Sequence, residues 1–186
     1  MMNKHIFPII AVVLVTACAV SCGNRQKKAE AKPVAEETQD MSKYMPDLKA
    51  GEAAPALEMN TPEGVTLSLA DFAGQWVVLD FWASWCPDCR EEFPAVKELY
   101  NEFSPKGVKI LGVSFDHEAD AWNKCLEEQG FEWPQVSNLI KWKENPVSEA
   151  FGIHWIPTMV LVGPDGNIAG AALTAKDMKA LLYSKL

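Results

Sequence analysis

Two cysteines three positions apart, Cys86 and Cys89, constrain the fold of this chain more than any other feature of its sequence. They follow the apolar run at residues 76–82, which is broken only by Asp80 and is typical of a central strand buried on both faces. A helix is predicted directly after the loop, over Pro87–Phe103, with proline in its permitted first turn. The predicted centre of the fold is therefore a strand, a tight loop and a helix that begins at a C-x-x-C pair.

The spacing of the two cysteines suits reversible disulfide chemistry. Cysteines at positions i and i+3 of a helix start lie on one face, with Cα atoms about 5–6 Å apart, which a disulfide prefers. Free N–H groups and the helix dipole stabilise a thiolate at this end of a helix, and the thiolate is the nucleophile of disulfide exchange. We therefore predict that Cys86, at the exposed end of the loop, attacks a partner. Cys89, one turn deeper, would then attack Cys86 and release the reduced partner.

A C-x-x-C pair also occurs in structural zinc sites and in inert disulfides. Structural zinc needs four ligands, and Cys125, His117 and His154 are scattered singly along the chain, so no metal is expected. An inert disulfide is not typical of this strand–loop–helix context. Cys125 is predicted to be an ordinary or regulatory thiol and not a catalytic one.

Other apolar patterns extend the alternation of strands and helices. Strands are predicted at residues 65–69, 108–115, 158–162 and 167–171. Helices are predicted at residues 119–129, ending before Gly130, and at residues 175–184, capped by Thr174. This order favours an α/β sandwich in which helices flank a mixed sheet.

The first residues predict export to the cell envelope. Lys4 precedes an apolar run at residues 6–20, which is shorter than the roughly 20 residues of a membrane span and typical of a signal peptide. The small residues before Cys22 resemble a bacterial lipoprotein signal, which implies a signal peptide over residues 1–22 and a lipid on Cys22. Cys18 is a competing lipidation site, and a cleaved secretory peptide or an uncleaved anchor are the alternatives.

Residues 23–50 are rich in Lys, Glu, Ala and Gln and poor in large apolar residues, so they are predicted to form a flexible tether. The globular domain is expected over residues 51–186. Such an anchor and tether would hold the domain at a bacterial membrane, facing the periplasm or the outer surface. The formal net charge of −8 argues against nucleic acid as a partner, because nucleic-acid binding needs a basic face.

Several motifs resemble the thioredoxin superfamily, specifically its membrane-tethered TlpA/ResA-like branch. The segment VLDFWASWCPDC at residues 78–89 resembles the active-site strand and loop, and REEFP at residues 90–94 resembles the R-x-E-x-P that opens the next helix. Ile156-Pro157-Thr158 resembles the cis-proline loop. Residues 66–74 resemble the lead-in strand and turn, and residues 117–151 resemble the central insertion. Together these motifs cover residues 51–186.

The resemblance implies a thioredoxin-like three-layer sandwich with a central insertion. It implies a thiol-disulfide oxidoreductase that acts on protein thiols and disulfides, exchanges electrons with a membrane donor or acceptor, and needs no cofactor beyond its redox-active disulfide. Asp80 stands where thioredoxins keep a buried acid, which implies a proton-relay role. Trp85 is expected to cover the nucleophile and, with Ile156 and Pro157, to dock the partner; the Ile156–Pro157 bond is expected to be cis.

The dipeptide between the cysteines, Pro87-Asp88, differs from the Gly-Pro of cytoplasmic thioredoxins and is expected to tune the redox potential. A strongly oxidising pair depends on a stabilised thiolate, and carboxylates at Asp80 and Asp88 should oppose that charge. The sequence therefore predicts a reductant. A peroxiredoxin-like peroxidase and a copper-binding assembly factor are the alternative functions. The first wants Pro-x-x-x-Thr/Ser-x-x-Cys and the second C-x-x-x-C with a distal histidine, and the chain departs from both patterns.

Overall fold

The computed structural model of the chain describes residues 40–186. The predicted signal peptide, with Cys18 and Cys22, and the predicted tether as far as residue 39 lie outside the described residues. The strands are β1 (Glu58–Asn60), β2 (Thr66–Ser68), β3 (Val77–Trp82), β4 (Lys109–Ser114), β5 (Gln135–Ser137), β6 (Thr158–Val162) and β7 (Ile168–Ala172). The α-helices are α1 (Pro87–Phe103), α2 (Ala119–Gln129), α3 (Pro146–Ala150) and α4 (Ala175–Lys185).

The seven strands form one mixed sheet in the order β2-β1-β5-β4-β3-β6-β7. Strand β3 lies at its centre, parallel to β4 and antiparallel to β6. All six residues of β3 are buried, because helices cover both faces of the sheet at this point. This confirms the central strand predicted from the apolar run.

The helices form two layers, one on each face of the sheet. Helices α1 and α4 cover one face, where Val96, Leu99 and Met178 join the buried cluster of Val78 and Leu161. Helices α2 and α3 contribute to the cluster on the other face, with side chains that include Trp122, Cys125 and Val147 packed among those of Leu79 and Val113. The predicted three-layer α/β sandwich with a mixed sheet is confirmed.

The predicted helices at the C-x-x-C pair and at residues 119–129 have the bounds that the sequence indicated. Helix α2 ends where Gly130 adopts a positive φ of 59° and its N–H donates to the Leu126 carbonyl oxygen at 2.8 Å, a conformation that favours glycine. The sequence did not predict β1, β5 or α3. These elements have three, three and five residues, too few for a hydrophobic period to register.

Residues 40–50 contact the globular domain, although their composition predicts that they belong to the tether. Met41–Tyr44 form a 3-10 helix, and the Tyr44 ring packs against Trp155 with centroids 4.6 Å apart. Asp47 Oδ2 lies 2.8 Å from Nε2 of His154. The packed structure therefore begins before residue 51. The contact of Tyr44 is with Trp155, the residue that precedes Ile156. Within residues 40–186, no helix is both long enough and apolar enough to cross a membrane.

Candidate active site

Cys86 and Cys89 form a disulfide at the N-terminus of α1, with their Cα atoms 5.3 Å apart. Cys86 is the N-cap residue, and its Sγ accepts a hydrogen bond from the Cys89 N–H at 3.2 Å. A helix N-terminus of this kind stabilises negative charge on the capping sulfur. The expected exposure of Cys86 is wrong for this disulfide form: the residue is only 5% exposed, against 1% for Cys89, and both belong to the buried cluster that includes Phe81.

The loop that precedes β6 lies opposite the cysteines. The Ile156–Pro157 peptide bond is cis, as predicted. The carbonyl oxygen of Ile156 lies 3.6 Å from Cys86 Sγ, and the Thr158 hydroxyl donates to the Trp155 carbonyl oxygen at 2.7 Å within the same loop. The fold therefore brings Ile156 and Cys86 together from positions that are far apart in the sequence.

Trp85 is the exposed neighbour of the disulfide. Its side chain is 48% exposed, and its ring centroid lies 6.4 Å from that of Trp142, which in turn stacks on Phe115. A large aromatic side chain beside a buried disulfide offers apolar contact area to a partner that approaches Cys86. Its role in docking stays a prediction.

Asp80 is buried in the middle of β3, where it pairs with Gly112 of β4 and Met159 of β6. It is 4% exposed, and it lies on the face of β3 that points towards α1. Burial, with a smaller contribution from the Glu92 carboxylate, raises the pKa of Asp80 to about 7. The side chain therefore exchanges its proton near neutral pH, which a proton relay requires.

The sequence pattern of the AhpC/TSA family matches residues 50–171, which include the whole site. The chain belongs to this family of thioredoxin-like proteins. The thiol-disulfide oxidoreductase ResA of Geobacillus thermodenitrificans is 31% identical over 137 residues, which cover 72% of this chain and 76% of that protein. The motifs identified in the sequence had indicated the same relationship.

Solved structures of proteins named as thiol-disulfide oxidoreductases or interchange proteins have the same fold. The thioredoxin domain of a thiol-disulfide oxidoreductase from Bacteroides vulgatus is 34% identical, with a TM-score of 0.67 over 74% of this chain and 98% of that chain. A thiol:disulfide interchange protein from a Bacteroides species is 35% identical, with a TM-score of 0.66 over 74% of this chain and 90% of its own. The present chain is accordingly a thioredoxin-like thiol-disulfide oxidoreductase.

One residue that contacts the active-site loop, Asp116, was not predicted from the sequence. Asp116 is 1% exposed, and its carboxylate accepts hydrogen bonds from both the N–H and the hydroxyl of Ser84. The available signal was an acidic residue directly after the apolar run at 108–115, at the edge of the sheet where α/β proteins place functional groups. Its partner in the loop could not be identified without the fold.

The third cysteine in the described residues, Cys125, lies in the same buried cluster as the disulfide and is not disulfide-bonded. Burial raises the pKa of its thiol above the usual range, so it is a poor nucleophile. Within residues 40–186, no three side chains of His, Cys, Asp or Glu are grouped so that they could hold a metal ion.

Proposed function

We propose that this oxidoreductase reduces disulfides of protein partners outside the cytoplasm, and that it works with the Cys86–Cys89 pair alone and no further cofactor. The observation that carries the proposal is the position of Cys86. Its sulfur caps a helix N-terminus, lies 3.6 Å from the Ile156 carbonyl oxygen and is flanked by the exposed Trp85. An extended chain that lies along residues 155–157 would bring its own disulfide to this sulfur.

The proposed step transfers two electrons. The Cys86 thiolate attacks one sulfur of the partner disulfide, the partner S–S bond breaks, and the other partner sulfur leaves as a thiolate that takes up a proton. Cys89 loses its proton and attacks Cys86, which restores the Cys86–Cys89 disulfide and releases the second partner sulfur as a thiol. Asp80, with a pKa of about 7, is suited to accept the Cys89 proton.

The carboxylates around the pair support the proposed direction of electron flow. Asp80 is buried in β3, and Asp88 is an exposed residue in the first turn of α1. Negative charge at either position opposes a thiolate on Cys86, and a less stable thiolate lowers the redox potential. We expect equilibration with glutathione to give a potential closer to that of thioredoxin, at about −270 mV, than to that of protein disulfide isomerase, at about −180 mV.

The potential also decides between reduction and the opposite activity. A measured value above about −180 mV would contradict the proposed direction and favour an enzyme that forms or rearranges disulfides. Asp88→Asn is the matched variant, because it removes one exposed charge and keeps the size of the side chain. It should raise the potential by only a small amount, since salt screens an exposed charge.

We also propose that a lipid on Cys22 anchors the protein in the bacterial cell envelope. The support is the apolar run at residues 6–20 followed by small residues and a cysteine. An enzyme that reduces disulfides repeatedly must itself be reduced by two electrons in each turnover. A membrane electron donor is therefore part of this proposal. Residues 40–50 would connect the anchor to the domain next to Trp155, through the contact of Tyr44.

Cys22→Ser is expected to abolish the incorporation of a labelled fatty acid and to release the protein from the membrane fraction. The expectation follows from the side chain, because serine lacks the thiol that would carry the lipid. Labelling of cells that express the wild type, Cys22→Ser and Cys18→Ser measures it directly. Label that persists in Cys22→Ser and is lost in Cys18→Ser would move the anchor to Cys18.

A further inference from the structure

The loop at residues 83–85, which joins β3 to α1, is held through the hydrogen bonds of Ser84. The N–H, the hydroxyl and the carbonyl oxygen of Ser84 each have a hydrogen-bond partner. Its N–H donates to Asp116 Oδ2 at 2.9 Å, its hydroxyl donates to Asp116 Oδ1 at 2.6 Å, and its carbonyl oxygen accepts from Nη1 of Arg90 at 3.4 Å. Two of the three bonds of Ser84 therefore end on one carboxylate.

The Asp116 carboxylate is held from the sheet side as well. The Ser114 hydroxyl donates to its Oδ2 at 2.7 Å, and the Asp116 N–H donates to the Ser114 hydroxyl oxygen at 3.0 Å. The Ser137 hydroxyl, on β5, lies 3.4 Å from the Asp116 carbonyl oxygen. The Asp116 carboxylate is therefore held by Ser114 at the end of β4, whereas Ser137 reaches only the main chain of Asp116. Through this carboxylate Asp116 transmits its position to Ser84.

Burial of the Asp116 carboxylate costs free energy, because the group loses its hydration. Within residues 40–186 no basic side chain forms an ion pair with it. Three hydrogen-bond donors offset part of that cost. A carboxylate suits this site because it offers two acceptor oxygens and no donor. An amide of the same shape would point two hydrogens at a cluster of donors.

We propose that Asp116 is a positioning residue for disulfide exchange, and that it acts by fixing Ser84 and hence the placement of Trp85 and Cys86. This inference rests on the proposed function. Trp85 is half in solvent, and Cys86 must keep its sulfur near the Cys89 N–H and the Ile156 carbonyl oxygen. Reduction of the disulfide removes the covalent link to Cys89, whereas the Ser84–Asp116 hydrogen bonds do not depend on that link.

Asp116→Asn and Ser84→Ala, made singly and together, test the inference. Each single variant should lower the second-order rate of insulin reduction, and the rate of alkylation of reduced Cys86 by iodoacetamide, by about tenfold, because small misplacements of a reacting group are costly. The double variant should be no slower than the slower single variant, since both break one unit.

Ser137→Ala is the matched control. It removes hydrogen bonds of the same buried region, to the carbonyl oxygens of Ser114 and Asp116, without touching the Asp116 carboxylate. It should lower the thermal midpoint and leave both rates within twofold of the wild type. A fall of both rates in Ser137→Ala as large as in Asp116→Asn would reduce Asp116 to a structural role and overturn the inference.

The two rates separate this inference from the proposed function. Alkylation needs no partner protein, so a wild type that fails to reduce insulin would contradict the proposed function while the alkylation rates still test Asp116. If Asp116→Asn does not fold, Ser84→Ala removes one of the same hydrogen bonds from a half-buried loop residue and carries the test alone. Alkylation rates of the folded variants that match the wild type within twofold, or losses that add in the double variant, would overturn the inference.

Discussion

Cys89→Ser should accumulate covalent complexes with partner proteins in cells, whereas Cys86→Ser should form none and lose its disulfide-reducing activity. In Cys89→Ser the Cys86 thiolate still attacks a partner disulfide, but no second thiolate follows to break the mixed disulfide. In Cys86→Ser the remaining thiol lies one turn inside α1 and is 1% exposed. It lacks the capping position that stabilises a thiolate on Cys86.

The trapped complexes are measured by acid quenching of whole cells and electrophoresis without reductant. Mass spectrometry of the trapped bands would name the partners. Cys125→Ser, combined with Cys89→Ser, is the control, because Cys125 is a buried thiol of raised pKa outside the pair. The same complexes should form in the combined variant. Equal trapping by Cys86→Ser and Cys89→Ser would show that the assignment of Cys86 as the nucleophile is wrong.

The sequence predicted the elements that the pair depends on because each has a strong local signal. The apolar run of β3 and the proline at the first turn of α1 fix the strand, the loop and the helix without help from the rest of the chain. The Ile156–Pro157 loop was predicted differently. Its place opposite Cys86 came from resemblance to a family, since nothing local to residues 156–157 indicates which loop they face.

What could not be predicted depends on contacts between distant segments. Residues 40–50 have the composition of a tether, yet one ring of Tyr44 on Trp155 and one contact between Asp47 and His154 place them against the domain. Gly152 allows this approach, since its φ is 56° and a Cβ there would lie 2.8 Å from the Asp47 nitrogen. Composition describes an average over a segment, and a few specific contacts decide its position.

Asp80 shows how a single position links the fold to the chemistry. A carboxyl group with a folded pKa of about 7 and an unfolded value near 3.9 binds its proton more tightly in the folded protein. Between these two values the folded state holds a proton that the unfolded state has lost, so stability falls as the pH rises through that window. The shift corresponds to about 4 kcal/mol of unfolding free energy between pH 4 and pH 8 from this group alone.

Asp80→Asn should therefore remove most of this loss, and the variant should exceed the wild type in stability at pH 8 by more than it does at pH 4. Denaturant unfolding of the oxidised protein at both pH values measures the difference, and Asp88→Asn, which changes an exposed carboxylate, should not alter the pH dependence.

Asp80→Asn should also release partners from the mixed disulfide more slowly, on the order of 10²-fold, because the amide cannot accept the Cys89 proton. A variant that keeps the pH dependence of the wild type would show that Asp80 does not titrate near neutral pH. Unchanged release, with the pH dependence removed, would leave Asp80 a buried acid without a part in the exchange.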